Sequence, residues 1–264
     1  MKGLLLSLFF ILIHFHKVYA QDSVMVLNEN GRSDSSVVLK QFSQDNTHQF
    51  SYKKLIIPVT FISYGVASLS ITGLKQLNES TQYEINEHRP DHIRLDNYTQ
   101  FVPAAAVYGL NVLGIKGKHN FKDRTIIYGT SLLITSAITI PLKHIVREER
   151  PDFSNNLSFP SGHTATAFAS AQFMFREYKD THFILGISGY SFAIFTAIYR
   201  MLNNKHWVGD VIGGAGFGIL STELAYWLYP KINTILGGKK ERSQTMVMPY
   251  YQKGNIGISL VKNF

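Results

Sequence analysis

Hydrophobic positions in this chain come in blocks rather than in alternation. Six apolar stretches, residues 55–74, 99–115, 125–142, 159–175, 183–199 and 208–229, are separated by short charged loops. The first runs for 20 residues without a charge, long enough to span a bilayer as a helix. The second, third and fifth are also uncharged, and the sixth is Gly-rich and carries Glu223. Small residues crowd several stretches, as at Ala104, Ala105 and Ala106 and at Gly213, Gly214 and Gly216. Such residues let helix backbones approach closely inside a membrane. The pattern predicts an all-α fold, a bundle of about six helices, mostly transmembrane or membrane-associated. Strand signals are nearly absent until the tail, where 245–251 and 256–261 flank Gly254 and predict a short β-hairpin.

The flanking segments divide the chain further. Lys2, an apolar run from Gly3 to Ile13 and the small residues Val18 and Ala20 predict a signal peptide over residues 1–20. An uncleaved anchor stays open, because His14, His16 and Lys17 shorten the apolar core. Residues 21–54 are a polar, Asn/Ser/Gln-rich lead-in. Residues 55–229 form the helical domain, and 230–264 a basic tail.

Composition changes this picture only in part. Charged residues are 17%, below the roughly 25% of soluble domains, yet mean hydropathy is only −0.01. Without cysteine, disulfides, thiolate nucleophiles and cysteine-bound metals are excluded. A net charge of +8 favours anionic substrates or surfaces. No basic helix or nucleic-acid motif appears, so nucleic acid is not the partner expected.

Loop charges suggest a side. Lys116, Lys118, Lys122 and Arg124 make the 116–124 loop basic, and the tail is basic too. Glu79, Glu84, Glu87, Asp91 and Asp96 make the 75–100 loop acidic. The positive-inside rule places the basic segments in the cytoplasm. That predicts a bacterial inner-membrane protein whose chemistry faces the periplasm. A peripheral periplasmic protein stays open, because a cleaved signal peptide followed by six full spans would turn the motif loops inward.

Three short stretches hold the candidate chemistry. Lys143 and Arg150 are seven residues apart, two helical turns, with Pro151 following. On one helix face they would clamp a phosphate between a point charge and a planar fork. Next come Pro160, Ser161, Gly162 and His163. Ser161 is a good N-cap, Gly162 permits close backbone approach, and His163 in the first helical turn could protonate a leaving oxygen. In the third, His206 and Asp210 are spaced i, i+4, with Arg200 before them. A carboxylate on one ring nitrogen fixes the tautomer and frees the other nitrogen to attack. His88 and His92 flank Pro90, which opposes a helical metal pair, and His144 reads as structural.

Taken together, the stretches resemble the motifs of the type 2 phosphatidic acid phosphatase and vanadium haloperoxidase superfamily. Those are Lys, six residues, Arg-Pro; Pro-Ser-Gly-His; and Ser-Arg, five residues, His, three residues, Asp. Every position matches except one, since Tyr199 stands where the family has Ser. The resemblance covers about residues 99–229. It implies a phosphatase with His206 as nucleophile, Asp210 orienting it and His163 as acid. Lys143, Arg150, Ser161, Gly162 and Arg200 would hold the phosphate oxygens. It implies no metal and no cofactor. The partners expected are the membrane and a phosphorylated lipid (lipid A, isoprenoid or glycerolipid), with no obligate protein partner evident. A soluble periplasmic acid phosphatase acting on small phosphoesters, or a vanadate-dependent haloperoxidase, is the alternative.

Overall fold

In the computed structural model of the chain, the described residues are 48, 50–87, 95–237 and the backbone of 245–252 and 255–262. The signal-peptide reading, most of the lead-in and the His88–His92 pair lie outside them.

The first apolar stretch does not form one span. After a 3-10 turn at Tyr52–Leu55, α1 (Ile56–Ser68) stops after 13 residues, and α2 (Thr72–Glu87) leaves at 87°. The break falls at Ser68, whose hydroxyl turns back onto the Gly65 carbonyl at 2.7 Å. Leu69 and Ser70 then close a tight turn on the carbonyls of Val66 and Ala67. Hydropathy saw an unbroken run because the break uses small polar residues without charge. The second stretch is also short: one turn, α3 (Asp96–Thr99), precedes α4 (Val102–Val112). Eleven residues of α4 rise only about 16 Å, well short of a hydrocarbon core.

The remaining stretches are full helices. In α5 (Phe121–Val146), Asn120 caps the first turn by accepting from the Asp123 N–H at 2.9 Å. Next come α6 (Gly162–Tyr178), α7 (Phe183–Leu202) and α8 (Val208–Ile235). Helices α5, α7 and α8 are long and apolar enough to cross a membrane, and the bent α1–α2 pair would make a fourth crossing. Leu133, Ile140 and Ile184 point outward from these helices with more than half their surface exposed. In the tail, β1 (Thr245–Gln252) and β2 (Asn255–Lys262) pair antiparallel.

Helix α6 is buried along almost its whole length, with α4, α5, α7 and α8 around it. It can lie this close to α8 because α8 presents glycine. A Cβ on Gly214 would stand 2.6 Å from the Ser161 carbonyl, and one on Gly218 would stand 2.1 Å from that of Ala165. At the end of the bundle away from Gly162, charges inside the helices neutralise one another. Arg176 pairs with Glu223 at 2.5 Å and sits 4.4 Å over the Tyr226 ring. Glu177 accepts from the Tyr226 hydroxyl at 2.9 Å and from the His119 N–H at 3.0 Å. Both ends of the core are therefore pinned, one by glycine contacts and the other by buried ion pairs.

Candidate active site

All three motif stretches meet at one end of the bundle. The first does so by a route unlike the one the spacing predicts. Helix α5 ends at Val146, where Arg147 takes a left-handed conformation (φ 53°) and bonds back to the Lys143 carbonyl at 3.1 Å. Lys143 and Arg150 therefore do not share a helix face. Arg150 is brought round by the loop, which is tied down where Lys143 Nζ donates to the carbonyls of Leu157 and Ser158 at 2.8 and 3.1 Å.

Ser161 caps α6, its hydroxyl accepting from the Thr164 N–H at 3.5 Å. Gly162 keeps the turn close to Lys143, whose Cε lies 3.9 Å from where a Cβ would be. His163, half-buried in the first turn, donates from Nε2 to the Asn97 side-chain oxygen at 2.8 Å. Burial, then the positive charges of Arg200, Lys143 and Arg150, push its imidazole down to about 4, with Asp96 opposing. Lys143, Arg150 and Arg200 are thus all near enough to this ring for their charges to act on it.

His206 is not itself helical. Trp207 caps α8, and the Asp210 carboxylate returns to accept the Trp207 N–H at 2.9 Å. This turn, rather than an i, i+4 pair inside a helix, brings Asp210 Oδ2 to 3.4 Å from His206 Nδ1. Ser158 stands beside both, donating its hydroxyl to Asp210 Oδ2 and lying 3.5 Å from His206 Nδ1. Burial holds His206 down to about 4, against the raising effect of Asp210. The Nδ1 side of the ring is thus taken by Asp210 and Ser158. Arg200, in the last turn of α7, is buried and ion-paired with Asp96 at 2.5 Å.

Backbone and side chains frame this cluster. The Ser161 N–H donates to the Asp210 carbonyl at 3.1 Å. Helix α2 lies over the His206 turn, where Asn78 accepts from the Gly209 N–H at 3.2 Å and Gln82 donates to the Pro151 carbonyl at 2.8 Å. Tyr199, at the position where the motif has Ser, stacks on Phe195 with ring centres 4.9 Å apart. Phe195 in turn lines an apolar groove of about 320 Å³ with Leu95, Thr99, Ser191 and Phe192. Asp96, Asn97 and Ser158 lie outside the motifs, and Glu148, between Lys143 and Arg150, occupies a position that its motif leaves unspecified. Among the described residues, no three His, Asp or Glu side chains gather as a metal site.

Residues 124–234 match the family model described as the PAP2 superfamily. A lipid A 1-phosphatase of Porphyromonas gingivalis is 36% identical over 138 residues, which are 52% of this chain and 31% of that protein. The chain therefore matches under a third of that relative's length. Two solved structures share looser similarity. Aquifex aeolicus LpxE is 22% identical, with a TM-score of 0.43 over 56% of this chain and 94% of that one. A transmembrane PAP2-type phosphatidylglycerolphosphate phosphatase from Bacillus subtilis is 21% identical, with a TM-score of 0.48 over 73% and 100%.

Proposed function

We propose that this chain, which belongs to the PAP2 superfamily, is a membrane phosphatase that removes phosphate from a lipid through a phosphohistidine. The observation that carries the reading is the buried His206, held through Nδ1 by Asp210 and Ser158 and lying near the charges of Arg200 and Lys143.

In the mechanism, Lys143, Arg150 and Arg200, with the Ser161 hydroxyl and the Gly162 N–H, hold the phosphate oxygens. Preorganised donors of this kind stabilise the charge spread over those oxygens in the transition state. His206 Nε2 attacks phosphorus, a P–N bond forms, and the P–O ester bond breaks. The leaving alkoxide takes a proton from His163. Burial and the cations disfavour that proton on the imidazole, and the arriving phosphate reverses the balance with one to two negative charges. Water then attacks phosphorus, giving its proton to His163, and the P–N bond breaks to release phosphate and restore His206.

Two features favour a lipid over a small soluble phosphoester. Three helices suit a bilayer, and the apolar groove opens beside Asp96 and Asn97, which hold Arg200 and His163. The similarity to a lipid A 1-phosphatase makes lipid A the first substrate to try. The acidic residues of α2 and α3 lie at the site's end of the bundle and the basic 116–124 loop at the other, which supports a periplasmic site.

The test is phosphate release by the purified protein in detergent from lipid A, phosphatidylglycerol phosphate, phosphatidic acid and p-nitrophenyl phosphate. His206→Ala and His163→Ala each abolish turnover, and rapid quenching of wild type with radiolabelled lipid traps an acid-labile, base-stable phosphoprotein that His206→Ala does not form. Turnover by His206→Ala at more than a few per cent of wild type overturns the mechanism. Equal efficiency on p-nitrophenyl phosphate overturns the lipid preference.

A further inference from the structure

Glu148 lies in the loop that carries Arg150, yet an acid has no part in holding a phosphate. Its carboxyl is half-buried and within hydrogen-bonding reach of Asp210 on α8. Each of these two carboxyls keeps one buried oxygen with no hydrogen-bond partner, Oε2 on Glu148 and Oδ1 on Asp210. Buried polar atoms are almost always paired, so two orphan oxygens on adjoining carboxyls need an explanation. A single proton supplies it. Two bare carboxylates cannot sit in contact out of water, whereas a carboxylic acid can donate to a carboxylate.

The other oxygen of Asp210 is already taken. Oδ2 accepts from Ser158 and from the Trp207 N–H, and it is the oxygen that faces His206 Nδ1. What the carboxylate lacks is a hold on its far side. The loop brings the Glu148 carboxyl within reach of Asp210, and the Ser158 N–H, donating to the Glu148 carbonyl at 2.9 Å, ties Ser158 and Glu148 into one unit.

We propose that Glu148 is a positioning residue: in its protonated form it donates a hydrogen bond to Asp210 and fixes the carboxylate that orients His206. The proposal rests on the reading of His206 as nucleophile. The charged groups that face Glu148 are Asp210 from α8, Lys75 from α2 and Lys143 from α5. Burial first, and Asp210 next, push the Glu148 carboxyl up to about 9, against the two lysines. Below that pH the proton is present and Asp210 is held. As pH rises through it, a second negative charge appears beside Asp210 and the hold becomes repulsion.

The experiment compares wild type, Glu148→Gln and Glu148→Leu on phosphatidic acid in detergent micelles from pH 6 to 10.5, with circular dichroism to confirm the helical fold. Leucine leaves a buried carboxylate oxygen unpaired and lowers kcat on the order of tenfold, with KM little changed. The Gln amide donates as the acid does, so it restores most of kcat at pH 7. It cannot lose a proton, so the step near pH 9 expected from Glu148 in wild type is lost. Wild-type kcat in Glu148→Leu overturns the proposal. So does an unchanged alkaline limb in Glu148→Gln, or a Gln variant as impaired as Leu. Activity in His206→Ala would instead sink the phosphohistidine reading beneath it, so the two failures are told apart.

Discussion

His163 and His206 are both held near 4, each chiefly by burial, against an ordinary value of 6.5. The sign of the effect on stability follows directly. An unfolded chain takes up these protons near pH 6.5, while the folded chain resists until about pH 4, so stability falls as pH drops across that window. The melting temperature in detergent is expected to fall over this range, and His163→Asn or His206→Asn to make the fall shallower. A flat profile in wild type would refute the assigned environments. Residues of this kind were legible in the sequence because their partners are near in the chain or belong to the same motif set. Asp96 and Asn97 were not, since they meet Arg200 and His163 across 104 and 66 residues. Ser158 lies just before the Pro-Ser-Gly-His turn, but its hydrogen bond to Asp210 spans 52 residues. No local pattern announces such pairs.

At the level of elements, apolar runs located α5 to α8 but misjudged where helices stop, and they missed α2, most of which lies in the segment read as an acidic loop. The 55–74 stretch breaks at Ser68 and the Lys143 helix ends at Val146, each through backbone bonding that hydropathy does not register. The glycines of α8 were legible as packing residues, and their positions say which ones matter. Gly218→Ala drives a methyl into the Ala165 carbonyl and the Ala169 N–H, so α6 and α8 must part. Overpacking of this sort costs about 1–3 kcal/mol. Because Ser161 and Asp210 begin those two helices, kcat is expected to fall with stability. Gly129→Ala in α5 meets nothing within 4 Å and is expected to be neutral or stabilising. Equal melting points for the two variants would refute the contact.

Across the whole molecule, the two ends of the bundle differ in kind. One gathers Lys143, Arg150 and Arg200, and the other carries the basic 116–124 segment above the buried Arg176–Glu223 pair. If the first end faces the periplasm, Ser154→Cys will react with a membrane-impermeant maleimide in spheroplasts, whereas Lys116→Cys will react only after lysis. The chain has no cysteine of its own to confuse the labelling. The reverse pattern would put the chemistry in the cytoplasm. One further consequence comes from the bond between the Ser161 N–H and the Asp210 carbonyl. It joins the Ser161 turn to the Asp210 turn through main chain, so parting them would break a backbone hydrogen bond. The opposite wall is held by side chains alone, with Asp96 on Arg200 and Asn97 on His163. If Lys143, Arg150 and Arg200 hold a phosphate as proposed, entry from the α3 side asks it only to replace Asp96 on Arg200 and Asn97 on His163, one anion exchanged for another.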